Sequence, residues 1–223
     1  MSSGRVHFVA PSAYPLGGVA VWLDYLVGGL TAYRYLRYQS LVRGLGELKV
    51  EWDTLDDVRR TYSAQFTKIH RHALFENWTP ARLTLGEAVA IDRGTVLCWQ
   101  EGINSGHIKI GEHTWIGPYN NLRAAENGKI NIGSRCYVSQ FCSFISHNYG
   151  IRRDALIQQQ GLNHEKSDIY VGDDVWFGVG CAVMPGVEIG NGAVIGAGSI
   201  VTKSVPPYEI WAGAAARKIG ERE

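Results

Sequence analysis

Long apolar runs are missing from this 223-residue chain, so no membrane span is expected. The nearest candidate, Val19–Leu30, is interrupted by Asp24 and falls short of the roughly 20 residues that a bilayer demands. The start lacks the charged region and small-residue cleavage site of a secretory signal, which points to the cytoplasm. Excess charge is missing too. The 22 Lys and Arg against 21 Asp and Glu leave a net +1, with no electrostatic footprint for nucleic acid. Cysteine is scarce, and neither the four cysteines nor the seven histidines fall at zinc-ligand spacings. No metal site and no permanently bound cofactor are expected.

What the chain has is a period of six. Val171, Phe177, Val183, Ile189, Ile195 and Val201 follow one another at six-residue steps, and Gly172, Gly178, Gly190 and Gly196 follow four of them. Four residues after each apolar position stands a compact side chain: Val175, Cys181, Val187, Ala193, Ser199. A period of six is neither the helical 3.6 nor the strand alternation of two. It marks a solenoid whose coils each carry short strands, with the apolar residue turned inward. The same rhythm runs through Leu85, Ile91, Leu97, then Ile110, Ile116, Leu122, then Ile132, Val138, Phe144. Breaks at about 100–109, 124–131 and 150–168 are insertions that leave the coil as loops. Three steps to a coil give about six to seven coils of parallel β-helix. Cys136, Cys142 and Cys181 occupy the compact position, where free cysteine packs as a small hydrophobe.

The organisation that follows is a mixed N-terminal segment with helices over 1–80, a cap for the open solenoid end, and a mainly β, β-helix domain over 81–206. The domain carries the 150–168 loop, and 207–223 form a C-terminal tail. Within the first segment, Val6–Ala10 reads as a strand, Pro11–Gly18 as a loop, and Val19–Tyr38 and Asp57–Phe75 as helices. Thr54-x-x-Asp57 serves as a capping-type start for the second helix. Residues 6–30 resemble the first strand, Gly-Gly turn and helix of two-domain nucleotide-sugar glycosyltransferases. The rest of such an enzyme is absent, and a strand-turn-helix packed on the solenoid end is the preferred reading.

The segment DIYVGDDVWFGVGCAVMPGVEIGNGAVIGAGSIVTKSVPPYEIWAG, residues 168–213, is far more specific. It resembles the terminal coils of hexapeptide-repeat acyltransferases, above all the galactoside, maltose and xenobiotic acetyltransferases and the O-acetyltransferases of polysaccharide biosynthesis. The order of parts agrees as well: coil, histidine, long loop, then VGDDVWFG and IGAGSIVTK. The resemblance implies a left-handed parallel β-helix, a homotrimer with active sites between subunits, and acetyl-CoA as co-substrate. One departure lies in Gly213-Ala214-Ala215-Ala216-Arg217, where the family often places a proline before the alanine.

His147, in SFISHNYG, matches the family's general base. Acyl transfer needs one, since a hydroxyl is a poor nucleophile until its proton leaves, and an imidazole titrates near working pH. For the donor, the resemblance assigns Gly178 and Ala197 to the pantetheine arm, Thr202, Lys203 and Arg217 to the nucleotide end, and Trp176 to the site wall. A small residue at 197 also serves coil packing, and the charges also serve as ordinary surface. For the acceptor, Asn121 in GPYNNL falls near a sugar-contacting position, although asparagines in inserted turns are common turn formers. His164 in the long loop either meets an acceptor or faces solvent, and Arg152, Arg153 and Asp154 in the same loop either reach an acceptor on a neighbouring subunit or are simply solvated. An acyl-enzyme route through Cys142 lacks any sign of an activated thiol.

The expected activity is acyl-CoA-dependent O-acetylation of a sugar or glycan-precursor hydroxyl. Alternatives are N-acetylation of an amino sugar on a nucleotide carrier, a zinc carbonic anhydrase of the same solenoid type, and a non-catalytic binding scaffold.

Overall fold

The computed structural model describes residues 30–99, 106–125, 127–163, 165 and 167–223. The chain divides into two compact units, Met1–Leu45 and Gly46–Glu223. Of the first, only helical residues from Leu30 onward are described. The expected strand Val6–Ala10, its loop and most of the helix Val19–Tyr38 lie outside the described residues.

The second unit is a three-faced parallel β-solenoid of six coils. Strands β1 (Lys68–Ile69), β2 (Leu74–Glu76) and β3 (Leu83–Leu85) form the first coil. The second has β4 (Ala90–Ile91), β5 (Val96–Trp99) and β6 (His107–Ile110), and the third β7 (Trp115–Ile116), β8 (Asn121–Ala124) and β9 (Lys129–Ile132). In the fourth, β10 (Tyr137–Val138) and β11 (Ser143–Ile145) are followed by a long loop before its last strand. That loop carries a hairpin of β12 (Asn148–Tyr149) and β13 (Leu162–Asn163) with the short helix Ile157–Gln160, and β14 (Ile169–Val171) then closes the coil. The fifth coil is β15 (Trp176–Phe177), β16 (Ala182–Val183) and β17 (Glu188–Ile189), and the sixth holds β18 (Val194–Ile195) and β19 (Ile200–Val201). Finally β20 (Glu209–Ala212) joins the first face beside β18, and β21 (Arg217–Glu221) folds back antiparallel to it, so residues 207–223 are largely strand.

Strands of successive coils pair in parallel and in register, giving one sheet per face. The inward positions are those of the six-residue pattern: Ile116, Leu122, Val138, Phe144, Phe177, Val183, Ile195 and Val201 are all fully buried. Such a stack removes the apolar side chains of every coil from water at once, at about 25 cal/mol per Å².

Two of the three corners repeat without variation. At the corner between the first and second faces, the third residue after the strand takes a left-handed conformation in five consecutive coils: Gly94, Tyr119, Phe141, Gly180, Gly198. The corner leading back to the first face does the same at Ala88, His113, Arg135, Asp174 and Gly192. The remaining corner, between the second and third faces, takes the insertions. The links from β2 to β3, β5 to β6, β8 to β9 and β11 to β14 all fall at this corner, in the first four coils. The expected breaks are thus real, and they share one edge of the prism.

The helix expected over Asp57–Phe75 is a correction. Helix α1 runs Leu30–Thr61, so Thr54 and Asp57 lie in its interior, and β1 and β2 occupy the rest. Pairing with β4 and β5 overrides local helical preference there. Leu55 and Val58 of α1 are buried, Arg59 donates from Nε and Nη2 to the Ile69 carbonyl at 3.2 and 2.7 Å, and the Tyr62 hydroxyl donates to the Leu83 carbonyl.

Phe144 and Phe177 meet edge-on in the interior, with ring centroids 5.1 Å apart. Phe144→Ala is expected to lower unfolding free energy by about 3–5 kcal/mol, read from denaturant midpoints. A change below about 1 kcal/mol would show that coil stacking, not interior packing, carries the stability.

Candidate active site

Strand β8 shows why the site forms where it does. Leu122 and Ala124 point inward and are fully buried, which turns Asn121 and Arg123 outward on the second face. One coil on, β11 pairs Ser143 with Asn121 and Ile145 with Arg123. The chain then turns at Ser146, whose N–H donates to the Arg123 carbonyl at 3.1 Å, and His147 follows at the edge where the insertions leave. Gly128 in the third coil's insertion packs on this turn, where a Cβ would lie 2.4 Å from the Ser146 carbonyl oxygen.

His147 is half-buried, and its ring meets Tyr149 edge-on at 6.3 Å. Burial first, and then the positive charge of Arg123, hold the imidazole below its ordinary value near 6.5. Nδ1 of His147 and Oδ1 of Asn121 are shielded from solvent, and neither has a hydrogen-bond partner among the described residues. Shielded polar atoms normally find partners, so these two stand apart from the other polar groups along this edge. The result is a neutral imidazole at neutral pH, able to accept a proton. Asn120, next in sequence, differs: its amide donates to the Gly117 carbonyl at 2.7 Å and accepts from the Cys142 N–H at 2.6 Å, as a rung inside the coil.

The other candidates divide between edges. Thr202 and Lys203 follow β19 at the corner where His147 follows β11, two coils along, roughly 10 Å at the usual strand spacing. Gly178 and Ala197 stack on each other at the opposite corner of the second face. About five residues of extended chain, roughly 16 Å, separate that corner from His147. A Cβ at Gly178 would stand 2.5 Å from the Ala197 nitrogen, so close coil stacking by itself demands glycine there, while Ala197 is exposed. Trp176 stands outward on the first face, 55% exposed, in line with Tyr137 and Trp115. Arg217 opens β21, and its guanidinium donates to the Ala216 carbonyl at 2.7 Å. His164 lies outside the described residues. Arg152 and Asp154 pair with each other at 3.1 Å on the exposed loop.

Cys142 is not a nucleophile in this setting. It is buried, and its hydrogen bond with Cys181, then burial, push its thiol well above the ordinary range. Among the described residues no group of three or more His, Cys, Asp or Glu gathers to hold a metal ion. A shallow groove on the third face, lined by Tyr170, Glu188, Ser204 and Pro207 among others, contains none of the candidate residues. Arg123 escaped the sequence reading, although its place two residues after Asn121 in a strand put both on one face.

Comparison with known proteins agrees with the fold. The family described as bacterial transferase hexapeptide, six repeats, matches residues 168–203. A chloramphenicol acetyltransferase of Klebsiella aerogenes is 32% identical over 149 residues, covering 55% of this chain and 71% of that protein. A probable macrolide acetyltransferase of Lysinibacillus sphaericus is 36% identical over 109 residues, covering 42% and 61%. Among solved structures, AntD of Bacillus cereus, an N-acyltransferase in complex with dTDP and 3-hydroxybutyryl-CoA, shares the fold. Its TM-score is 0.59 at 23% identity, covering 71% of this chain and 81% of AntD.

Titration of His147 by NMR is expected to give a value below 6.5, and Arg123→Gln to move it upward, because the removed charge disfavours the imidazolium. An unmoved or lowered value in Arg123→Gln would show that the guanidinium does not act on the ring.

Proposed function

This chain belongs to the bacterial hexapeptide-repeat acetyltransferases, and we propose that it carries acetyl from acetyl-CoA to a hydroxyl of a sugar or glycan precursor, with His147 as general base. The observation that carries this reading is a half-buried His147, held neutral by burial and then by Arg123, at the foot of the long loop and near Asn121. The imidazole takes the hydroxyl proton as the oxygen attacks the thioester carbonyl. The tetrahedral intermediate then expels the thiolate, and the imidazolium returns the proton to sulfur. Acyl transfer is direct, since Cys142 is buried and held protonated.

The donor lies against Ala197, Gly178 and Trp176, with Thr202, Lys203 and Arg217 at its phosphates, where cationic side chains form charge-assisted hydrogen bonds. Asn121 orients the acceptor, and His164 meets it from the long loop. Ala197 and His147 stand on opposite edges of one face, so one copy supplies the base and another the donor edge. A homotrimer satisfies this by closed symmetry. The exposed Ile151, Leu156 and Ile157 at the tip of the long loop are apolar enough to be covered by that neighbour. Such a reaction belongs to the decoration of polysaccharides or their precursors. N-acetylation of an amino sugar on a nucleotide carrier uses the same base and donor, and the AntD likeness, being one of fold, does not select it. An acceptor panel pairing hydroxyl and amino sugars separates the two.

His147→Ala is expected to cut kcat/KM by about 10²–10⁴ while calorimetric titration still shows acetyl-CoA binding and the oligomer mass is kept. Unchanged turnover would remove His147 from the chemistry, and loss of donor binding in the unsubstituted protein would favour a scaffold. The wild-type rate falls as pH drops through the depressed His147 value, and Arg123→Gln moves that acid limb upward. Oligomers mixed from His147→Ala and Ala197→Trp chains are expected to regain turnover that neither parent shows. Silence of the mixture would mean that each site lies within one chain.

A further inference from the structure

The first helix carries a seam that the acyl-transfer site does not use. Tyr38, Leu41, Leu45, Leu48, Trp52 and Leu55 follow each other at steps of three, four, three, four and three. This is the two-position heptad repeat of a coiled coil, narrower than the stripe by which a helix joins a globular core. At its C-terminal end the seam is covered, with Leu55 only 3% exposed. Further up, Trp52, Leu48 and Leu45 are 51%, 51% and 57% exposed. Gly44 and Gly46 lie in the same stretch, and a Cβ at either would meet nothing within 4 Å. Glycine weakens a helix, and a helix in water draws most of its stability from packing an apolar face. A bare seam with two glycines therefore calls for a partner.

We propose that α1 packs against the α1 helices of other copies of this chain as a parallel, in-register coiled coil. A second copy fits the page best because only a helix of the same repeat offers holes at the spacing of these knobs. Subunits related by closed rotation all point the same way, so their α1 segments share one end of the assembly and run parallel. The charged residues Glu47, Lys49, Glu51 and Asp53 fall beside or opposite the seam, and Lys49 pairs with Asp53 at 3.1 Å. The parallel sense rests on the closed-symmetry assembly of the proposed function, while the helix itself carries none of the residues assigned to that reaction.

Disulfide trapping in the full chain tests it. The native cysteines are buried and free, so an introduced thiol reports alone. In a parallel, in-register bundle Leu45→Cys and Leu48→Cys both face their own copies, whereas Val50→Cys points away. Under oxidised glutathione, Leu45→Cys and Leu48→Cys chains are expected to form linked dimers about tenfold faster than Val50→Cys. Circular dichroism confirms that each variant is folded. Linkage at only one seam position would indicate antiparallel crossing and overturn the proposal. So would equal rates at all three sites. Linkage at none would mean that residues 1–29 of the same chain, or another protein, cover the seam, and the proposal would fall.

Discussion

Successive coils stack so closely that a Cβ at Gly133 would lie 2.4 Å from the Gly172 carbonyl oxygen, and one at Gly178 2.5 Å from the Ala197 nitrogen. That backbone-on-backbone contact fixes the rest of the molecule. It keeps strands of neighbouring coils in register, and register keeps each inward apolar residue above the last. It also fixes what lies outward, because a one-residue slip would exchange every inward and outward side chain. Asn121 and Arg123 face outward for the same reason that Leu122 and Ala124 face inward.

The site draws its chemistry from a contrast between corners. Two corners repeat one link of four residues whose third is left-handed. The third corner admits insertions of any length at little structural cost, since a loop that leaves the coil there disturbs no strand pairing. His147 stands at that third corner, at the foot of the longest insertion, on a rigid turn held by the Arg123 carbonyl. In the proposed reaction, a base on such a frame beside a variable loop would let acceptor choice change while the proton-transfer group stays fixed.

Much of this was legible from residue spacing. The period of six located the inward side chains correctly, and the breaks in it located the loops, because both follow from strict stacking. The order of motifs makes His147 the candidate base, a role that spacing alone does not establish. Arg123 was missed because its effect is through space: its charge reaches a histidine 24 positions further along the chain, through a pairing that spacing alone does not reveal. The helix expected over Asp57–Phe75 failed for a related reason. Lys68–Ile69 and Leu74–Glu76 become strands only because β4 and β5 offer them partners. The double meaning of Gly178 also needed coordinates, which show that the neighbouring coil already forbids a side chain there.

The central claim is that the base of one copy meets a donor held on the edge of another. A crystal structure of the oligomer with acetyl-CoA bound tests it most directly. The account predicts a pantetheine arm lying along the Ala197 edge of one subunit, with its thioester beside His147 of a neighbour. A thioester bound beside the His147 of the same chain, or far from any His147, would contradict it.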